Sequence, residues 1–273
     1  MTLPHRIRQF VAVISAIVLL SSASFSQTGP CATVIPGNPL PDLIVNQDRL
    51  KSDIHVTVEK FASTDCAVVE GCVTGKGTHQ LLRFTSSIPN IGGGDLVIGD
   101  PLQCPNLFEG GNCYNNEKFK DSADYRLWTD SGYQTWVTNR DLSQPANSGI
   151  NATLLAAAQQ SGNVIVGRKQ EYCFNDDDQY DPNASPTPKY TVCGTDTTPG
   201  NQGLQVGWED TYSWQIPCQY IQIDKLAKGI YVLEVQVNPD QLLPESDYTN
   251  NASAVRFQFV PAHGQTPPQI IFL

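Results

Sequence analysis

The chain has 273 residues, 40% of them hydrophobic, enough for one sizeable core or two small ones. Its formal charge of −10 argues against nucleic acid as a partner, because that role needs a basic surface. Beyond the first 26 residues no apolar stretch is long enough to cross a membrane.

The opening, MTLPHRIRQFVAVISAIVLLSSASFS, carries Arg6 and Arg8, then an apolar run from Phe10 to Leu20, then small residues. Ser24 and Ser26 suit the −3 and −1 positions of a signal peptidase site, so residues 1–26 read as a signal peptide and the protein as secreted. Cleavage removes two arginines and no acid, leaving the mature chain at −12. Such a charge suits basic or lysine-rich partners by electrostatic steering, and also suits plain solubility. An N-terminal arm over 27–40, one domain over 41–262 and a tail over 263–273 complete the expected organisation.

Strand-like runs follow in order: DLIV from Asp42, HVTV from His55, QLLRF from Gln80, DLVIGD from Asp95 and ADYRLW from Ala123. Then come NVIVGRKQEYCF from Asn163, QYIQID from Gln219, GIYVLEVQV from Gly229 and AVRFQF from Ala254. Many are rich in β-branched and aromatic residues, and Gly, Pro or Asn clusters divide them. The one good helix candidate is ATLLAAAQQ, residues 152–160, with Asn151 as N-cap. Long polar loops are expected at 99–122, 129–150 and 175–203. The pattern predicts an all-β sandwich with long loops and one or two short helices.

Four local features invite a chemical reading. Eight cysteines in an exported chain, with no C-x-x-C, favour disulfides over zinc. Cys66 and Cys72 can close a local loop, and counting fixes no other pairing. FNDDDQYDPNAS gathers Asp176, Asp177, Asp178 and Asp181, hard oxygen donors of the kind calcium takes, but the spacing matches no EF-hand and a solvated acidic turn is the expected reading. In CYNNEKFKDSADYRLW, from Cys113, the residues Tyr114, Asn116 and Lys118 alternate, so an extended backbone would put them on one face. NAT at Asn151 and NAS at Asn183 and Asn251 are glycosylation acceptors only in a eukaryotic secretory route.

The segment from Asn201 to Asn251 is the most telling. Its DTY, CQYIQI, GIYVLEVQVNP and PESDYTNN closely resemble the lysyl oxidase catalytic domain, and upstream LLRF, NIGGGDLVIGDP, DCAVVEGC and GRKQEYC fit as well. The resemblance covers about residues 41–260, with an insertion near 132–161. Ig-like adhesion modules share part of the C-terminal wording, which keeps such a module as an alternative.

The resemblance implies copper held by three alternating histidines, and a lysine tyrosylquinone made from the chain itself, which oxidises a lysine amine through a Schiff base. Lys169, in GRKQ, and Tyr212, in EDTY, fall at the quinone-precursor positions. The copper segment keeps Cys113 and Phe119 in place, but its three ligand positions hold Tyr114, Asn116 and Lys118. Lys118 carries a positive charge near neutral pH, Asn116 offers a hard amide oxygen, and Tyr114 ionises only near pH ~10. The histidines His5, His55, His79 and His263 are scattered. The expectation is therefore a secreted lysyl-oxidase-like domain with neither metal nor cofactor, acting by binding at a surface or matrix. The alternative is an active copper-dependent amine oxidase releasing hydrogen peroxide and ammonia. The resemblance further implies disulfides Cys66–Cys72 and Cys113–Cys193. Cys173 and Cys218 lack the partners of animal members, since Gln179 and Trp208 stand there, so they are expected to pair with each other. Cys31 and Cys104 remain, and would pin the N-terminal arm.

Overall fold

GIYVLEVQV alternates large apolar residues on both faces of its strand, so its sheet must be covered on both sides. The computed structural model, which describes residues 31–32, 34, 37–110, 113, 117–167 and 173–273, shows how. In chain order the elements are α1 (Gln47–Ser52), β1 (His55–Phe61), α2 (Cys66–Val69), β2 (Gly77–Arg83), β3 (Ser86–Pro89), β4 (Leu96–Gly99), β5 (Phe108–Gly110), β6 (Glu117–Phe119) and β7 (Ala123–Thr129). They continue as α3 (Asp130–Asn139), α4 (Gly149–Gln160), β8 (Val164–Gly167), β9 (Asp178–Gln179), β10 (Gln202–Leu204), β11 (Trp208–Tyr212), β12 (Tyr220–Gln222), β13 (Gly229–Val237), β14 (Ala252–Val260) and β15 (Gln269–Phe272).

The fold is all-β, and every ladder among these strands is antiparallel. The largest sheet runs β15-β14-β13-β7-β8, and four smaller sheets run β1-β2-β12, β3-β11-β9, β10-β4 and β5-β6. Leu233 and Val235 of β13, Leu127 of β7 and Phe257 of β14 share one core with Ile88, Leu96, Tyr212 and Ile221 of the smaller sheets. The opposite face of the large sheet gives Trp128 and Val232 to a second cluster, which α3 and α4 complete with Trp136 and Leu155.

The helical content exceeds the expectation. The span 129–150 holds α3, whose N-terminus is closed by Thr129 accepting the Gly132 N–H. Helix α4 starts three residues earlier than expected, with Ser148 in the N-cap position. Asn151 is not the cap: its side chain accepts the Asp141 N–H and donates to the carbonyls of Asp141, Gln144 and Pro145, holding the α3–α4 loop. DLIV is not a full strand but an isolated bridge between Leu43 and Asn90, because Asn46 already caps α1. The tail expected over 263–273 contributes β15 to the sheet edge.

The disulfides correct three expected pairings. The structure links Cys66 to Cys113, Cys72 to Cys218 and Cys173 to Cys193, in place of Cys66–Cys72, Cys113–Cys193 and Cys173–Cys218. The turn after α2 explains the first two. It is closed by Cys72 N–H on the Ala67 carbonyl and packs Cys72 with Leu81, Cys218 and Tyr220, leaving Cys66 to join Cys113 beside the β5–β6 hairpin. Cys31, whose partner the sequence left open, pairs with Cys104 and fastens the arm.

Candidate functional site

Tyr212 ends β11 and is buried in the main core. Alternate residues of a strand share a face, so Asp210 stands beside it. The phenol donates to Asp210 Oδ2 at 2.5 Å. Burial, then the negative charge of Asp210, push the Tyr212 hydroxyl well above its ordinary value, so it stays a neutral phenol. Asp210 in turn touches Asp177, whose second contact is the Thr211 N–H, donating to Oδ2 at 3.0 Å. The residue Asp177 is exposed, yet its carboxyl is turned against this acidic neighbour, and desolvation raises it. Beside it, Ser86 is the ladder partner of Tyr212 and its Oγ lies 2.8 Å from the oxygen of Tyr125, which donates to Gln219 Oε1 at 2.8 Å.

Of the five residues expected at the site, Lys169, Tyr114 and Asn116 lie outside the described residues. Lys118 is on β6 and is buried. Its Nζ is 3.8 Å from Oε2 of Glu70, itself buried at the end of α2. Glu70 Oε1 accepts the Cys113 N–H at 2.9 Å, so one carboxylate meets both the disulfide and the lysine of the hairpin. Sequence reasoning gave no role to Asp210 or Glu70. The i, i+2 spacing of Asp210 and Tyr212 was a usable signal; the Glu70–Lys118 approach spans 48 residues and left none.

These groups do not suit a copper ion. Among the described residues no three His, Cys, Asp or Glu side chains form a metal-ligating group. His55 Nδ1 is 2.6 Å from the Asp53 carbonyl, and its ring meets Trp214 edge-on. His79 lies between Asp224, 2.7 Å away, and the Gly75 carbonyl. His263 sits in a backbone bridge with Thr266.

The acidic turn is used internally. Asp176 is buried and accepts the backbone N–H groups of Lys189, Tyr190 and Gln205. Asp178 pairs with Arg49, and Asp181 caps its own turn through Asn183. Among the acceptor asparagines, Asn151 and Asn251 are buried and hydrogen-bonded, whereas Asn183 is exposed.

The fold and these residues define an extended all-β domain built around a buried tyrosine–aspartate pair. The lysyl oxidase family model matches residues 151–266, which include Tyr212 and exclude the 113–119 segment. The chain is similar to human protein-lysine 6-oxidase, 26% identical over 236 residues that cover 82% of this chain and 47% of that protein. It is equally similar to lysyl oxidase homolog 2A of Danio rerio, 26% identical over 227 residues, 80% of this chain and 26% of that protein. These matches support membership of the lysyl oxidase family, and the chain spans about a quarter to a half of the length of these relatives.

Proposed function

We propose that this chain is a secreted, lysyl-oxidase-like domain that binds its partner without oxidising it. The observation that carries this reading is the buried Lys118–Glu70 pair. Taking a lysine out of water is costly, and its ammonium is compensated by Glu70. At a position that corresponds to an imidazole in the family pattern, such a pair replaces metal binding with an internal ion pair. Tyr212, kept neutral by Asp210, then remains an ordinary phenol, because an unligated phenol does not become a quinone at a useful rate. No cofactor is expected in this reading; copper and lysine tyrosylquinone belong to the alternative. A mature charge of −12 favours a basic or lysine-rich protein as partner. Secretion is supported by the leader-like first 26 residues and by four disulfides.

The test is metal analysis of the purified protein after copper loading, with quinone staining and peroxide release from an alkyl amine on the same sample. Substoichiometric copper, no stain, no peroxide, and separate unmodified peptides bearing Lys169 and Tyr212 are the expected results. Stoichiometric copper with a linked Lys169–Tyr212 peptide would instead establish the copper amine oxidase. Tyr212, at the position that the resemblance gives to a quinone precursor, is what favours that second reading.

A further inference from the structure

A groove of about 790 Å³ opens beside the edge strands β8 and β12. Leu127, Ile165 and Tyr231 of the large sheet line it, and Thr74, from the turn after α2, completes the lining with Gln222 and Asp224 from the end of β12. Gln222 joins these last two segments: its Oε1 accepts the Thr74 N–H at 2.8 Å, and its Nε2 donates to Thr74 Oγ1 at 3.0 Å. His79, on β2, meets the same junction. Its Nδ1 lies 2.7 Å from Asp224 Oδ2, and its Nε2 lies 2.9 Å from the Gly75 carbonyl. Both of these neighbours can only accept. A neutral imidazole carries one N–H and an imidazolium carries two, so only the protonated ring donates to both.

The surroundings decide which bond is lost when that proton leaves. The Gln222 amide stands 3.0 Å from Nδ1, but its two hydrogens already go to Asp224 Oδ2, at 2.6 Å, and to Thr74. Asp224 therefore holds the remaining proton on Nδ1, because a carboxylate repels a lone pair turned towards it. The Nε2 lone pair then faces the Gly75 carbonyl, and two acceptors at 2.9 Å repel each other. No other charge competes for the ring. Glu59, its ladder neighbour on β1, gives its carboxylate to Arg83 and Thr57, and Phe61 brings only an aromatic ring, 6.1 Å away. Lys76 and Lys225, in the turn and in the loop after β12, form no ion pair among the described residues. The hydrogen bond to Asp224 holds the imidazole above its usual 6.5, against a smaller lowering by burial.

We propose that His79 is a proton-operated clasp that holds the turn over 74–77 at the edge of this groove. Gly75 and Gly77 flank Lys76 at φ 150° and 140°, where other residues are rarely found, and a side chain at Gly75 would touch nothing. The turn is therefore hinged and unpacked on that side, and the Gly75 carbonyl is the handle by which the ring holds it. Asp224 does not move with it, because its Oδ1 still accepts the Gln80 N–H at 2.7 Å. Below the raised value of His79 the clasp is shut. As pH rises through that value the Gly75 carbonyl is released, and the groove widens on the side of the turn.

The experiment is nuclear magnetic resonance on the full secreted chain across neutral pH. The His79 Cε1–H shift gives the titration of the ring. Hydrogen exchange at the Thr74 N–H, which Gln222 protects, reports the turn once corrected for the chemical exchange rate at each pH. Protection should fall about two- to tenfold, the factor that one hydrogen bond carries, with the same midpoint as the ring. His79→Gln removes the titrating group and should abolish the step. Asp224→Asn nearly conserves shape but removes the charge, so the ring midpoint and the step should move together to lower pH. Thr74 protection that stays level across the His79 titration would overturn the proposal. So would a step that persists in His79→Gln, or one that stays in place in Asp224→Asn. Should either variant fail to fold, the coincidence of the two midpoints in the unchanged protein decides by itself. None of these outcomes bears on whether the chain binds copper.

Discussion

Glu234 offers the sharpest test of how the helices are held to the large sheet. It is fully buried on β13, and four donors converge on it. Trp136 Nε1 and Arg140 Nη1 donate to Oε1 at 3.1 and 3.0 Å, and Trp128 Nε1 and Arg126 Nη1 to Oε2 at 2.9 and 3.4 Å. Arg126 also reaches Asp124 and Gln236, so it keeps partners when Glu234 changes; Arg140 has no other ion-pair partner among the described residues. Glu234→Gln conserves shape but removes the charge and turns one acceptor oxygen into a donor. At least one indole N–H and one guanidinium then face an amide NH₂. Losing one side of a buried ion pair costs about 3–5 kcal/mol. That is a large share of the roughly 5–15 kcal/mol that holds a typical domain together. Trp136→Phe removes only one hydrogen bond to the carboxylate and keeps the aromatic stack on Trp128, whose ring centroid lies 5.5 Å away. It should cost about 1.5–3 kcal/mol before any loss of ring area. Urea unfolding followed by tryptophan fluorescence and near-ultraviolet dichroism measures both. A Glu234→Gln loss under about 1 kcal/mol, or one smaller than that of Trp136→Phe, would refute the idea that this carboxylate is the electrostatic centre of the helix–sheet contact.

Non-reducing peptide mapping should recover Cys31–Cys104, Cys66–Cys113, Cys72–Cys218 and Cys173–Cys193, and a Cys66–Cys72 peptide would contradict the arrangement around α2. The hydrogen bond to Asp224 raises the His79 imidazole above its usual 6.5, against a smaller lowering by burial. A folded-state value above the unfolded one stabilises the fold fully below about pH 6.5 and loses that contribution as pH rises through the raised value. His79→Gln should flatten that part of the stability–pH curve, and an unchanged slope would show that the pair contributes nothing; the effect is small because the pair is solvent-screened.

The strands that sequence made legible are those with a period-2 apolar pattern, β13 and β14 above all. Those it hid are polar. SSIP forms β3 because Ser86 and Ser87 find partners in Tyr125 and Thr211, and WEDTY forms β11 although Glu209 and Asp210 are both buried. Tertiary hydrogen bonding overrides a local pattern there. Helix α3 was missed because its sequence, DSGYQTWVTN, has little helical propensity and a Gly at its third position. It forms because Trp136 can stack on Trp128 and reach Glu234, contacts 8 and 98 residues away in sequence. The disulfides failed for a related reason: pairing depends on which way each cysteine faces in space, and family correspondence supplied the wrong facing for Cys72. Tyr212 could be marked in the sequence, whereas the partner of Lys118 could not.

That partner makes the reversal of the copper segment a demanding experiment. Phe119 is buried between Phe108 and Phe174, and Cys113 is bound to Cys66, so the two ends of the segment are fixed whatever lies between them. Within that frame Lys118 neutralises Glu70. Lys118→Met alone should therefore cost about 3 kcal/mol by removing the ammonium beside a buried carboxylate, and Glu70→Gln in the same chain should return much of it. The triple change Tyr114→His, Asn116→His, Lys118→His creates the imidazole set but removes the same ammonium. Without metal it should be about as unstable as Lys118→Met. With Cu²⁺ bound, the ion supplies the missing positive charge near Glu70, so copper should stabilise the triple variant by more than mass action on three exposed histidines would give. Urea unfolding with and without copper, on the triple variant and on the same variant carrying Glu70→Gln, separates the two contributions. If copper binds but the Glu70→Gln background responds identically, Glu70 is not the group that the lysine was compensating. If copper does not bind at all, the correspondence of Tyr114, Asn116 and Lys118 with a histidine triad is wrong, and the non-catalytic reading loses its main support.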